Sequence, residues 1–260
     1  MKRHISLALA LTLTLLFAAC TNPKADGKKN NSTLSSSAST ASYEKVSSTS
    51  TPSHSELYLP NCSQQQMFDY FEEIVLNMEY STGDSSVVQK WNEPLCYRIY
   101  GTATTKDLEV LTDLFEQLNK VEGFPGIYAA DSEQENLTIC FLEPEDFNNS
   151  FSSCINNEDA YGATEFWYYN ATNEIYTARI GYRTDIDQAT RVSILIEEVI
   201  NMLGISDTVL REDSIVYQYS NDNTALSDID WVILKLLYNP KIKCGMNADS
   251  CHEILRKLYY

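Results

Sequence analysis

Chemistry-bearing side chains in this 260-residue chain concentrate between Asp185 and Asn239. Glu197 and Asn201 lie four residues apart, so on a helix they project from one face about a turn apart, with Glu198 beside them. Two ligand positions at i and i+4 around a glutamate let a helix grip a metal ion and set a general base next to its bound water. Here those positions carry oxygen donors. Such a set suits calcium, magnesium or manganese better than zinc, and these ions activate water for peptide cleavage poorly. The plainer alternative is that Glu197, Glu198 and Asn201 form a solvated helix face.

A helix must position these groups. Val192, Leu195, Ile196, Val199, Met202 and Leu203 recur at three- and four-residue steps and make one apolar stripe. Asp185 or Asp187 can cap its start, and Gly204 stops it. After a turn at Ser214 to Tyr217, Ser227 with Asp230 caps a further helix from Asp228 to Tyr238, which Pro240 ends.

In this order, Glu197-Glu198-Val199-Ile200-Asn201, Gly204, Asp207 and Ser214-Ile215-Val216-Tyr217 resemble the metzincin metallopeptidases, with their His-Glu-x-x-His helix, third ligand and Met-turn. Leu226-Ser227 with Asp230, and Leu237-Tyr238, resemble the helix that follows that turn. The stretch is also similar to an uncharacterised bacterial family assigned as lipoproteins, with a Glu-Glu-x-x-Gln-x-Leu-Gly helix, a Ser-Ile turn and a Leu-Tyr-x-Pro end. Leu237-Tyr238-Asn239-Pro240 and Gly245-Met246 fit that pattern. The match is loose over residues 64–246 and close over 192–246.

The resemblance implies a single zincin-like domain of α+β class, with a mixed sheet over an active-site-type helix, a Met-turn-like loop and C-terminal helices. It makes Glu198 the general base, Glu197, Asn201 and Asp207 the metal-ligand positions, and Tyr217 a ligand contact. The departures are as informative. Neither helix position is histidine, and Val216 replaces the Met of the turn. Of His4, His54 and His252, only the last falls within the domain, which rules out a three-histidine zinc site there. The motif is therefore a degenerate His-Glu-x-x-His, and the expectation is a pseudoenzyme without a resident cofactor, with a divalent cation on the oxygen set as the alternative.

The chain opens on basic residues, runs apolar from Ile5 to Phe17 and reaches Ala18-Ala19-Cys20. The run is too short for a comfortable membrane span and reads as an export signal. It resembles a bacterial lipoprotein signal, which implies cleavage after residue 19 and a lipid anchor, with its acyl chains, on Cys20. Residues 20–56 are rich in Ser, Thr, Lys and Asn and bury too little surface to fold, so they form a disordered tether. Residues 57–260 are long enough for one domain with its own core.

With six basic and three acidic residues in the first 56, the remainder carries 13 basic and 33 acidic residues, a balance of −20. That sign disfavours nucleic acid and direct adhesion to anionic lipid. Setting Cys20 aside leaves six cysteines, an even number suited to disulfides in an exported domain, with fifteen pairings open. Proximity in sequence favours Cys62–Cys96, Cys140–Cys154 and Cys244–Cys251. No Gly-x-Ser-x-Gly elbow or phosphate-binding glycine loop occurs.

Periodicity predicts a helix over 63–78, a strand over 95–100, a helix from Thr104 or Thr105 with Leu108, Leu111, Leu114, Phe115 and Leu118 inward, and a central strand pair at 127–129 and 137–142 joined by a turn at 132–135. A hairpin follows around 170–173, with Ile175, Thr177 and Arg179 alternating against Tyr176, Ala178 and Ile180, and a short helix closes the chain at 249–258. The functional expectation is an extracytoplasmic, membrane-anchored lipoprotein whose domain binds a peptide, glycan or protein partner without catalysis. The alternatives are a metal-dependent hydrolase using Glu198 and a structural envelope protein.

Overall fold

In a computed structural model, the described residues are 57–76, 86–131, 134–152 and 160–259. The export signal, Cys20, the tether and Cys154 lie outside them.

Helix α1 (Gln64–Phe71) starts in a capping box in which Ser63 and Gln66 satisfy each other's backbone N–H, and it runs into a π-helical turn at Glu72–Leu76. The predicted helix is thus α-helical for only its first half. Strands β1 (Lys90–Trp91) and β2 (Leu95–Gly101) precede α2 (Thr105–Leu118), capped by Thr104. Strands β3 (Ile127–Ala129) and β4 (Leu137–Leu142), helix α3 (Pro144–Ser150), and strands β5 (Gly162–Tyr168) and β6 (Glu174–Arg183) follow. Three helices, α4 (Gln188–Met202), α5 (Asp228–Leu237) and α6 (Ala248–Leu258), complete an α+β fold.

The sheet is mixed but mostly parallel. β3, β2, β4 and β6 run parallel in that order, β1 pairs in parallel with the start of β6, and β5 lies antiparallel along β6. β3 and β4 are therefore not a pair, because β2 stands between them. The alternation predicted for β6 also breaks: Ile175, Ala178, Ile180 and Tyr182 are inward. A register shift between Trp167 and Tyr168 of β5 skips one residue of β6, which moves Ile175 onto the face of Ala178.

Helices cover both faces of the sheet. Phe151, just past α3, lies where a Cβ on Gly181 would meet its ring at 2.2 Å, and it forms a small cluster with Phe147, Ala160 and Ala163. On the other face α4 packs on β5, β6 and α2. Leu108 is 41% exposed, against expectation, because Asp107 turns inward in its place. This carboxylate, 0% exposed, accepts from Thr104 N at 2.8 Å, Gln188 Nε2 at 2.7 Å and Arg191 Nη1 at 3.0 Å, and so locks the start of α4 to the start of α2. Arg191 also donates to Thr184 O and Ile186 O.

The far end of α4 is fixed by Trp91, whose Nε1 donates to Met202 O at 2.8 Å, and by the Tyr238 hydroxyl, which donates to Leu203 O at 3.1 Å. Lys90 is buried and donates to Leu237 O and Ile242 O, both at 2.7 Å. Cys62, Cys96, Cys140, Cys244 and Cys251 are thiols in this structure, so Cys62–Cys96 and Cys244–Cys251 are not joined in it. No described helix is long and apolar enough to cross a membrane.

Candidate functional site

Asp187 caps α4, accepting from Ala189 N and Thr190 N, while Asp185 pairs with Arg183 instead. Gly204 ends the helix at φ +92°, and a Cβ there would lie 2.1 Å from Gln89 O. Only glycine fits this turn, which folds Ile205 to Asp207 back along the helix.

Glu197 and Glu198 are 1% exposed and Asn201 is 2% exposed, so these residues are not a solvated helix face. Asn201 Nδ2 donates to Asp207 Oδ1 at 3.2 Å. Two of the three predicted ligand positions are therefore neighbours and hydrogen-bonded to each other. Glu198 faces β5: its backbone carbonyl accepts from Thr164 Oγ1 at 2.9 Å, and a Cβ on Gly162 would meet its Oε1 at 2.7 Å. Tyr182 reaches from β6 to donate to Leu195 O at 3.0 Å. Burial, then the charges of Glu198, Asp107 and Glu197, hold its phenol pKa well above the usual range.

The segment after Asp207 is clamped. Glu73, on the π-helical turn, accepts from Thr208 Oγ1 at 2.5 Å and Val209 N at 2.9 Å, while Ser206 N donates to Ile74 O at 2.7 Å. Thr208 forms a parallel bridge with Tyr217, which brings the 214–217 turn beside Asp207. Asp230 organises that turn, accepting from Ser214 Oγ at 2.6 Å, Ile215 N at 3.1 Å, Ser227 N at 2.8 Å and Ser227 Oγ at 2.9 Å. Burial nonetheless pushes the Asp230 carboxyl pKa above its ordinary value, with these hydrogen bonds opposing the shift. Tyr217 is half-buried, with its ring set edge-on to Tyr219 at 5.5 Å.

These donors do not fit zinc. Glu197, Asn201 and Asp207 offer two carboxylates and an amide, with no imidazole or thiolate, and among the described residues no three His, Cys, Asp or Glu side chains group to hold a metal ion. His252 is on α6, stacked on Phe68 with ring centroids 4.8 Å apart and with Nε2 3.5 Å from Glu72. Glu73, Gly162, Thr164 and Tyr182 escaped sequence reasoning; only Gly162, at the first position of a strand, carried a signal, as a site of close approach.

No curated protein is detectably similar to the chain. Residues 64–257 match the family model described as a protein of unknown function (DUF2927), and the chain belongs to that family.

Proposed function

We propose that this is a metzincin-like domain without peptidase chemistry, acting as the binding module of an extracytoplasmic lipoprotein anchored through Cys20 and held off the membrane by residues 21–56. The observation that carries the proposal is the Asn201–Asp207 hydrogen bond. At two positions that match metal ligands, the side chains are bonded to each other through Asn201 Nδ2, while the buried Asn201 Oδ1 has no hydrogen-bond partner among the described residues. The antiparallel edge strand β5 against α4, the glycine turn, and the 214–217 turn held by Asp230 support the scaffold part of the reading. Without a metal to lower the pKa of a bound water, Glu198 has no nucleophile to generate. In this proposal the buried carboxylates belong to the scaffold, and the domain's partner is a peptide, glycan or protein.

Incubating the full chain with a broad fluorogenic peptide library, with and without added zinc, manganese or calcium, tests this. The expected result is no turnover above that of Glu198→Gln. Cleavage that needs metal and disappears in Glu198→Gln would overturn it.

A further inference from the structure

A separate surface lies on the α2 side of α4, away from β5. A hollow of about 480 Å³ is floored by Val110 and Leu114 of α2, Val192 and Ile196 of α4, and Leu226. A second hollow of about 730 Å³ continues it along α2 and α5. Both are lined by Gln117 and Trp231, so the half-buried indole forms the saddle of one elongated groove.

Its charge departs from that of the domain. The domain has 33 acidic and 13 basic residues, yet the groove carries three lysines, Lys106, Lys120 and Lys235, against Asp113 and Glu122. Lys106 is 3.6 Å from Glu109, both well exposed. Lys120 and Lys235, also exposed, make no ion pair among the described residues. An apolar floor under free ammonium groups is complementary to a chain segment that carries carboxylates and presents an apolar side chain to the indole. The chain's own residues 21–56 carry four lysines and three acidic residues, the wrong sign to fill it.

We infer that the Trp231 groove docks an acidic, apolar-containing segment of a partner protein. This stands independently of the metal chemistry at α4, which the proteolysis experiment tests alone. The test is selection of a randomised dodecapeptide display library on the full chain and on Lys120→Glu/Lys235→Glu, whose two positions are exposed and should leave melting unchanged. The expected result is enrichment of sequences with excess Asp and Glu around an aliphatic or aromatic residue, with affinity falling about tenfold or more in the double variant. No enrichment, enrichment without acidic bias, or equal affinity for the variant would overturn the inference. Self-association of the full chain that the double variant abolishes would also overturn it, in favour of a second copy as occupant.

Discussion

The Asp107–Arg191 pair sets the position of α4 and hence of Glu197, Glu198 and Asn201. Asp107 is fully buried and the Arg191 side chain is 6% exposed, so removing either partner strands a charge out of water. Such a loss costs about 3–5 kcal/mol, a large share of the 5–15 kcal/mol typical of a folded domain. Arg191→Met leaves the carboxylate with Thr104 N and Gln188 Nε2 but no counter-charge, and Asp107→Leu leaves the guanidinium with two backbone carbonyls. The double variant strands neither and should cost about 1–2 kcal/mol or less, because an apolar pair of similar volume often replaces a buried ion pair neutrally. Urea unfolding of the four proteins, followed by far-ultraviolet circular dichroism with unchanged m-values, gives the coupling energy. A single substitution costing under about 1 kcal/mol, or a double variant equal to the sum of the singles, would refute the reasoning.

The same pair also responds to acid. The hydrogen bonds to Asp107 from Gln188, Thr104 and Arg191 outweigh its burial and hold its pKa below the ordinary value of 3.8. Its stabilising contribution is therefore present above pH 3.8 and is lost as pH falls through the lower folded value; acid titration of stability should be shallower in Arg191→Met. Burial lowers the Lys90 pKa from 10.5 to about 8. The folded state then holds fewer protons than the unfolded chain between these values, so this group adds stability as pH rises from 8 to 10.5, and Lys90→Met should remove that increment from the stability profile. Gly204→Ala, with its Cβ 2.1 Å from Gln89 O and a positive φ, should lower stability by about 2–4 kcal/mol in urea unfolding. Gly162→Ala pushes against Ile194 Cγ2 at 2.5 Å and Glu198 Oε1 at 2.7 Å and should cost about 1–3 kcal/mol, read the same way.

The helices with a regular apolar stripe and a side-chain cap were legible: α2, α4 and α5 lie where their periodicity and the Thr104, Asp187 and Ser227 caps put them. α3 was not, because only Phe147 of its seven residues is buried and no stripe develops. Leu108 was placed inward because nothing local reveals that Asp107 meets an arginine 84 residues later. The separation of β3 from β4 by β2 is likewise a long-range pairing that short apolar runs do not encode.

At the site, the order of Glu197, Glu198, Asn201, Gly204 and Asp207 was readable, and so was the glycine turn. Their burial was not. Adjacent glutamates look solvated in sequence, and it takes the packing of α4 under the sheet, with Gly162 of β5 set against Glu198, to take that carboxylate out of water. Glu73 could not be found at all, since its partners Thr208 and Val209 come from a segment more than 130 residues away.

The most direct test of the proposal that the α4 site is a degenerate metal site is the metal stoichiometry of the full chain, purified without chelator and then titrated with zinc, manganese and calcium while its melting is followed. The account predicts substoichiometric metal and no rise in melting temperature, in the native protein and in Asp207→Ala alike. Stoichiometric bound metal that is lost in Glu197→Ala and Asp207→Ala would contradict it.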